Sequence, residues 1–378
     1  MRITFILPTV NLSGGIRVIG IYAQFLVDFG HEVTLISPPQ KRISFRRKIR
    51  SVFAGTGWPR NDIARKSHLD NTTLNHQILK HSNQITDAEV PNADVVIATW
   101  WNTAEWVNNL SASKGAKVYF IQGHEVFPHL PVERCHATYR MPLHKIVIAR
   151  WLKDLMLNSY GDSMVDLVSN SVDRRQFFAP PREKQLIPTV GFVYSPVDYK
   201  GMDTVLAALE LVRTQFTSLR IICFGSKTAQ PKFPLPTGTE FHLSPPQHSI
   251  RDLYAQCDVW IASSKGEGFY LPAMEAMACR TPVVSTKIGW PAEAIRSEIN
   301  GVLVEIGDIN GLASGVKWVL SLPNEDWKKL SLNAFETAST GSWQESAKLF
   351  ESALFHACSR AGRGEISGQH SLTQTETA

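Results

Sequence analysis

The sequence lacks the features of membrane-spanning and disulfide-bonded proteins. No apolar run approaches the roughly 18 residues that a transmembrane helix needs. The five cysteines are an odd and scattered set without a Cys-x-x-Cys pair, which excludes a disulfide framework and a cysteine-based zinc site. Residues 1–10 are too short and too soon interrupted for a signal peptide. We therefore expect a cytoplasmic protein whose thiols are buried.

Several ligand-binding motifs are also missing. No G-x-G-x-x-G follows the first predicted strand, residues 2–8, and this disfavours an NAD-linked enzyme. Nothing resembles a helix-turn-helix, a zinc finger or an RNA-binding sheet, so no nucleic-acid partner is expected. His124 and His129 lack a third ligand at helical or hairpin spacing, and we predict no metal site.

Positive charge is concentrated in one segment of the chain. Residues 41–66 contain nine basic side chains against the single acid Asp62, a net charge of +8, whereas the whole chain carries +5. Apolar residues interleave with the basic ones at helical spacing, which predicts a short amphipathic helix with a cationic face. Two interpretations stay open: a solvated loop, or a contact with anionic lipid headgroups or a phosphate-bearing acceptor. Anionic membranes attract such segments by about 1 kcal/mol per basic residue.

Strand-like and helix-like segments alternate along the chain in two series. At 378 residues the sequence suits two domains better than one, because single cores rarely exceed roughly 250 to 300 residues. The alternation predicts two α/β domains with parallel sheets, at residues 1–178 and 189–342. A final amphipathic helix is predicted at residues 343–357. Residues 359–378 are polar and are expected to form a disordered tail.

The most informative motif contains two glutamates eight positions apart. Glu267 and Glu275 lie around the start of a predicted helix that follows a buried strand, with Pro272 in its first turn. Gly266 and Gly268 belong to the turn before that helix. A strand-to-helix turn directs backbone N–H groups and the positive end of a helix dipole at one point, which suits a diphosphate. The carboxylates can accept hydrogen bonds from the vicinal hydroxyls of a ribose or a hexose.

This run resembles the E-x7-E motif of the family 4 retaining glycosyltransferases. Both glutamates have the family's separation, with Gly-Phe-x-Leu-Pro between them. The resemblance implies the GT-B architecture: two Rossmann-like domains facing across a cleft, with the C-terminal helix crossing back to the first. It further implies transfer of a sugar, with retention, from a nucleotide-diphosphate donor to a hydroxyl of a glycan or lipid-linked acceptor. No cofactor or metal is required by relatives of this fold.

The resemblance also assigns roles to individual residues. The first domain is expected on the acceptor side and the second is expected to bind the nucleotide sugar, with Glu275 on the ribose and Glu267 on the transferred sugar. The predicted catalytic residues are His124, Glu267 and Lys200. The acceptor or membrane side is assigned to Arg46, Arg47, Lys48, Arg50 and Glu125. The predicted donor-binding residues are Gly14, Gly15, Lys200, Gly225, Gly266, Glu267, Gly268, Phe269, Leu271 and Glu275.

One departure from the family bears on the reaction. Relatives often carry an arginine about six residues before the lysine that corresponds to Lys200, and Tyr194 and Ser195 stand there in this chain. One cation in place of two stabilises a leaving diphosphate less well, unless Lys265 or Lys227 supplies the second charge.

Other functions remain open at this stage. A related GT-B enzyme could epimerise or phosphorolyse a sugar. A catalytically silent GT-B protein could bind a nucleotide sugar or a glycan without turning it over. The function favoured by the sequence is a glycosyltransferase of cell-envelope polysaccharide synthesis, cytoplasmic and peripheral to the inner face of the cell membrane.

Overall fold

A computed structural model describes residues 1–40, 66–70 and 72–368. The predicted membrane-side residues Arg46, Arg47, Lys48 and Arg50 lie outside these described residues. The chain divides into two compact units. The first unit comprises residues Met1–Val147, Leu152–Val168 and the C-terminal segment from Ala347, and the second comprises Ile148–Trp151 and Ser169–Ser346.

The first unit is built on a seven-stranded parallel sheet with strand order β3-β2-β1-β4-β5-β6-β7. Its central strands β1, β4 and β5 are buried along nearly their whole length and are mostly apolar, as is typical of parallel sheets. The strands are β1 Arg2–Ile6, β2 Glu32–Ser37, β3 Asn75–Ile78, β4 Val95–Ala98, β5 Ala116–Ile121, β6 His144–Val147 and β7 Val165–Leu167. The helices between them are α1 Gly14–Asp28, α2 Trp101–Asn109, α3 Val132–Thr138 and α4 Arg150–Tyr160.

The second unit is built on a six-stranded parallel sheet with strand order β10-β9-β8-β11-β12-β13. The order reverses on either side of β8, which is the arrangement that gathers ligands at the carboxyl ends of the strands. The strands are β8 Thr189–Val193, β9 Arg220–Gly225, β10 Glu240–Leu243, β11 Val259–Ala262, β12 Val283–Thr286 and β13 Gly301–Val304. The helices are α5 Met202–Arg213, α6 Ile250–Ala255, α7 Leu271–Ala278, α8 Gly289–Ala294, α9 Ile309–Ser321 and α10 Asn324–Ala338.

The segment before β8 is attached to the second unit. The backbone N–H groups of Gln185 and Thr189 donate to the two carboxylate oxygens of buried Asp258, at 2.7 and 2.9 Å. The guanidinium of Arg182 lies 4.6 Å from the ring centre of Trp327, whose indole donates to the carbonyl of Asp258. Residues 169–178, predicted in the first domain, therefore belong with 179–188 to the second unit.

The last helix, α11 Trp343–Gly362, contributes residues to the core of the first unit. Phe350 is fully buried and its ring stacks on Tyr22 at 4.7 Å and packs edge-on against Phe120 at 5.0 Å. The helix ends five residues beyond the predicted end at 357. After it, the backbone N–H of Ser367 donates to the Pro142 carbonyl at 2.9 Å. The prediction of a disordered tail from residue 359 is therefore wrong for residues 359–368.

A hydrogen-bonded cluster of ionisable groups joins α11 to the end of the sheet in the first unit. Asp166 Oδ2 lies 2.9 Å from both His144 Nε2 and His356 Nδ1, and the three possible ligand atoms lie within 4.8 Å of one another. Arg360 Nη1 lies 3.1 Å from His144 Nδ1. A guanidinium only donates, so Nδ1 of His144 accepts from Arg360. Nε2 of His144 therefore carries the ring proton and donates a hydrogen bond to Asp166. That proton arrangement fits a structural clamp and does not fit a metal ligand.

Membrane-spanning character is not found in the described part of the chain. None of its helices is both long enough and apolar enough to cross a bilayer.

Candidate functional site

Two of the predicted catalytic residues meet in the second unit. Lys200 follows β8 and Glu267 follows β11, and these neighbouring strands end at the same edge of the sheet. Lys200 Nζ lies 2.6 Å from Glu267 Oε1. Ser264 Oγ donates to the same carboxylate oxygen at 2.7 Å. The side chains of Lys200 and Glu267 are 29% and 14% exposed, so this ion pair is reachable from solvent but largely enclosed.

The loops that carry the pair are locked together by backbone contacts. Gly201 has a φ of +68°, and a Cβ on it would lie 2.0 Å from the carbonyl oxygen of Ser263. Only glycine permits both that conformation and that approach. The hydroxyl of Ser263 donates to the Gly201 carbonyl at 3.0 Å, and the N–H of Lys265 donates to the Tyr199 carbonyl at 2.7 Å. The sheet edge therefore fixes the Lys200 loop against the Glu267 loop.

The turn before α7 has the features of an anion site. A Cβ added to Gly266 would meet no atom of the described residues within 4 Å, so the protein itself does not fill the space above this glycine. Tyr270, at the N-cap of α7, has a φ of +73°. This conformation costs a non-glycine residue roughly 1–2 kcal/mol, and such strain concentrates at functional turns. No side chain caps the helix start, which leaves its N–H groups directed at the turn.

The other predicted donor-binding residues of this turn have mixed positions. The Phe269 side chain is buried and its ring stacks on Trp290, so it supports the turn from the core. The Gly268 carbonyl accepts a hydrogen bond, at 2.9 Å, from the indole N–H of Trp151, which also belongs to the second unit. Leu271 is the first residue of α7. The roles predicted for Gly268 and Leu271 stay predictions.

The second glutamate of the motif is buried beside a tyrosine. Glu275 is 5% exposed, and Tyr254 donates its hydroxyl proton to Glu275 Oε2 at 3.0 Å. Tyr254 is itself fully buried, and this burial, with the nearby Glu275 carboxylate, raises the pKa of the phenol well above its ordinary value. The phenol therefore keeps its proton and acts as a permanent donor. Tyr254 orients the carboxylate that is predicted to hold a ribose.

Gly225 ends β9 at the same edge of the sheet. A Cβ on Gly225 would lie 2.5 Å from the carbonyl oxygen of Tyr194. Its own carbonyl accepts the N–H of Ser244 at 2.7 Å. Close packing against Tyr194 therefore explains why this position is a glycine. Its predicted contact with a nucleotide base stays a prediction.

The residue that replaces the family's arginine has a structural task. Tyr194 is 1% exposed, donates its hydroxyl to the Phe233 carbonyl at 3.1 Å and accepts the N–H of Gln230 at 2.8 Å. It thus holds the loop after β9 and supplies no charge. Lys265, one of the two suggested substitutes, is paired with Asp203 at 2.6 Å. Lys227, the other, is exposed.

The first unit contains the predicted glycine pair at the start of α1. Gly14 is the first helical residue, and a Cβ on it would meet no described atom within 4 Å. Ser13 occupies the N-cap position without a side-chain cap, while its N–H donates to Asn11 Oδ1 at 2.7 Å. The start of α1 thus directs uncapped N–H groups outward, which agrees with the predicted role but does not test it.

His124 lies after β5 in a set of aromatic side chains. Its Nε2 is 2.7 Å from the hydroxyl of Tyr160, which is also 2.8 Å from Nδ1 of His136. Tyr139 fixes the backbone on both sides of His124, because its hydroxyl accepts the N–H of Glu125 at 2.8 Å and lies 3.3 Å from the Gly123 carbonyl. Burial, and secondarily the positive charge of His136, lower the pKa of His124.

The structure corrects the prediction for Glu125. This residue was expected to face the acceptor, but it is 2% exposed. Its Oε2 accepts the backbone N–H of Trp101, at the start of α2, and the hydroxyl of Tyr119, at 2.6 and 3.0 Å. Burial raises the pKa of the carboxyl to about 8. Glu125 therefore anchors the loop of His124 to the interior of the first unit.

The raised pKa of Glu125 predicts a pH-dependent stability. Between pH 4.5 and about 8, the Glu125 carboxyl of the native state keeps its proton, whereas the same carboxyl of the unfolded chain, with a pKa of 4.5, has lost it. The stabilisation is complete below pH 4.5 and is lost as the pH rises through about 8. We expect the unfolding free energy of wild type to fall between these values by at most about 1.4 kcal/mol per pH unit relative to Glu125→Gln. Urea unfolding of both proteins at several pH values measures this, and parallel pH profiles would contradict it.

Part of the chain is similar to known proteins. Residues 185–321 match the family described as glycosyl transferases group 1. A D-inositol 3-phosphate glycosyltransferase of Streptosporangium roseum is 30% identical over 141 residues, which are 33% of this chain and 32% of that protein. The chain spans a third or less of the length of the first curated relatives it matches. Lys200, Glu267 and Glu275 all lie inside the matched family region.

Solved structures of similar fold cover nearly the whole chain. Anabaena HepE in complex with UDP and glucose has a TM-score of 0.68 at 16% identity, covering 95% of this chain and 100% of that one. S. aureus TarM has a TM-score of 0.70 at 12% identity, covering 94% of this chain and 100% of that one. The fold is therefore GT-B, with two Rossmann-like α/β units.

Sequence reasoning missed several residues that shape the site. Ser264 stands three positions before Glu267, and a hydroxyl at that spacing in a turn is a recognisable local signal. Tyr254 is 21 residues from Glu275, and Tyr160 is 36 residues from His124. Each pair comes together only through the packing of helices and strands within its unit, so no local sequence pattern predicts the contact.

Proposed function

We propose that this chain is a retaining glycosyltransferase that moves a sugar from a nucleotide-diphosphate donor to a hydroxyl of a glycan or lipid-linked acceptor. The observation that carries the proposal is the arrangement at the β8–β11 edge: Lys200 against Glu267, the uncapped start of α7, and buried Glu275 held by Tyr254. These are a cation, the N–H groups of a helix start and two carboxylates that can accept hydrogen bonds from hydroxyls, all within the matched residues 185–321.

Each group then has a chemical task in the transfer. Departure of a nucleoside diphosphate develops negative charge, which Lys200 and the N–H groups of the α7 turn stabilise. Glu275 accepts hydrogen bonds from the ribose hydroxyls, and Glu267 orients the transferred sugar. His124 and the start of α1, which lie in the first unit, keep the roles predicted for them from the sequence. No cofactor or metal enters this scheme.

The donor to try first is a uridine nucleotide. The HepE structures are described with UDP, UDP-glucose and glucose, and the TarM structure with UDP and a glycerol-linked N-acetylglucosamine. Those ligands belong to those proteins. They support UDP-sugars as the first donors to test with this chain and glycans as the class of acceptor.

The acceptor and the place of action follow from the charge of residues 41–66. A segment with a net charge of +8 favours an anionic surface or a phosphate-bearing acceptor. We therefore propose a cytoplasmic enzyme, peripheral to the membrane, in cell-envelope polysaccharide synthesis. Deletion of residues 46–50 is the direct test, because unchanged liposome binding and acceptor turnover would remove the membrane from the proposal.

The donor site is tested by nucleotide binding. We expect one nucleoside diphosphate out of a panel of UDP, GDP, ADP and CDP to raise the thermal midpoint and to bind in calorimetry. Ligand at 100 times its dissociation constant stabilises the native state by about 2.7 kcal/mol. Incubation with the matching nucleotide sugars and NMR of the product anomeric carbon then tests retention. Inversion at that carbon would reject the retaining mechanism and leave the transferase.

A second candidate is a catalytically silent GT-B protein that binds a nucleotide sugar or a glycan. The observation that favours it is Tyr194, because a buried tyrosine occupies the place of the second diphosphate-binding cation. Nucleotide binding without hydrolysis or transfer of any sugar would support this candidate over the enzyme.

A further inference from the structure

The phenol of Tyr160 has a hydrogen-bonding arrangement that constrains two histidines at once. Its oxygen lies 2.7 Å from Nε2 of His124 and 2.8 Å from Nδ1 of His136. A phenol has one proton to donate, so the two ring nitrogens cannot both accept from it. The hydroxyl has no other hydrogen-bond partner among the described residues, so its proton goes to one of the two nitrogens, and the other nitrogen donates its own N–H to the phenol oxygen.

Protonation of His136 selects one of these two arrangements. A protonated imidazole has N–H groups at both nitrogens and only donates. His136 Nδ1 then donates to the Tyr160 oxygen, and the phenol donates to His124 Nε2. Nε2 of His124 must be unprotonated in that arrangement. A neutral His124 then carries its proton on Nδ1, which has no hydrogen-bond partner among the described residues.

The surroundings keep the phenol in its neutral form. Burial raises the pKa of Tyr160, against the opposing effect of the Arg140 guanidinium, which lies 5.0 Å from the ring centre. The other ionisable groups around the three rings are Cys135, Tyr139 and Glu125, all buried. Tyr160 therefore retains its single proton, and the protonation of the pair is decided by the two histidines.

We propose that Tyr160 is a positioning residue that couples the ring tautomer of His124 to the protonation state of His136. With His136 protonated, His124 presents an N–H donor at Nδ1. When His136 is neutral, its Nδ1 can accept the phenol proton. Nε2 of His124 then donates to the phenol oxygen, and Nδ1 of His124 becomes an acceptor. The consequence for catalysis rests on the proposed function. His124 with a proton on Nδ1 can donate a hydrogen bond to a sugar oxygen, whereas His124 with a free Nδ1 can accept a hydrogen bond from a hydroxyl group.

The coupling is tested by NMR on the full chain, selectively labelled with ¹⁵N-histidine and without any substrate. Two-bond ¹⁵N–¹H spectra distinguish the tautomers, and His124→Gln and His136→Asn assign the signals. Across the pH series, we expect the ring nitrogens of His124 to show a step in tautomer, with the proton on Nδ1 where His136 is protonated and the other tautomer populated where His136 is neutral. In Tyr160→Phe, which removes only the shared oxygen, this step should be lost.

Two variants separate coupling from general damage. His136→Asn keeps a polar atom near the Nδ1 position but does not titrate, so the tautomer of His124 should become independent of this pH step. His129→Asn removes an exposed imidazole that stacks on Phe127 and should leave the step unchanged. A His124 tautomer that follows pH equally in wild type and Tyr160→Phe, or that stays fixed in wild type, would overturn the proposal.

Activity gives a second, separable readout. Where a nucleotide sugar is turned over, the pH profile of kcat/KM should lose one ionisation in Tyr160→Phe and in His136→Asn. If no nucleotide sugar reacts, the proposed function fails while the NMR result still decides the coupling.

Discussion

Replacing Lys200 by methionine is expected to lower the transfer rate by about 100- to 1,000-fold, the typical loss for one preorganised group on a developing oxyanion. Lys200 is the cation paired with Glu267, and buried Tyr194, which stands where the family resemblance predicts a second cation, supplies no charge. Methionine keeps the aliphatic stem and removes the charge. Steady-state kinetics with the nucleotide sugar identified by titration measures the effect.

The matched control is Lys265→Met. Lys265 lies on the neighbouring loop at the same edge of the sheet, but its ammonium is paired with Asp203 and both side chains are exposed. Exposed pairs contribute about 0–1 kcal/mol, so this variant should stay within about fivefold of wild type. Equal losses in both variants would mean that Lys265 shares the diphosphate, and a large loss in Lys265→Met alone would transfer the role to it.

Replacing Glu275 by glutamine is expected to weaken nucleoside diphosphate binding by about 10- to 100-fold, because hydrogen bonds to a charged acceptor contribute about 1.5–3 kcal/mol. Glutamine fills the same volume, and its oxygen can still accept the hydroxyl of Tyr254. The loss should therefore appear in the dissociation constant with little change in the thermal midpoint of the free protein. Calorimetry with the nucleotide found for wild type measures it.

Two variants accompany the Glu275 experiment. Glu336→Gln changes an exposed glutamate of α10 in the same unit and should bind as wild type does. Tyr254→Phe removes the neutral hydroxyl that orients Glu275 and should cost about 0.5–1.5 kcal/mol of binding. Wild-type affinity in Glu275→Gln would show that this carboxylate does not hold the ribose.

Much of the second unit could be predicted because its signals are local. The central strands are mostly apolar, and Glu267, Glu275 and Pro272 stand at fixed spacing around the start of α7. Parallel strands that end at one edge then bring Lys200 to Glu267, although 67 residues separate them. Both residues of the ion pair could therefore be predicted from the sequence, but their contact is seen only in the structure.

The errors have a common physical origin in long-range contacts. Glu125 follows a strand and looks like an exposed loop residue, but the helix start that binds it is 24 residues away. Residues 359–368 are polar in composition, yet the backbone of Ser367 bonds to Lys117 and Pro142. Composition measures how much surface a segment can bury. It does not register a backbone that pairs with a distant strand.

The first unit is discontinuous in sequence, and this has a consequence for synthesis. Residues from Ala347 onward complete it, and Phe350 packs against rings from α1 and β5 near the start of the chain. As the chain leaves the ribosome, residues 169–342 of the second unit emerge before the last helix, which begins at Trp343. The apolar core around Tyr22 and Phe120 therefore stays incomplete until Phe350 has been synthesised, so the second unit is expected to fold first.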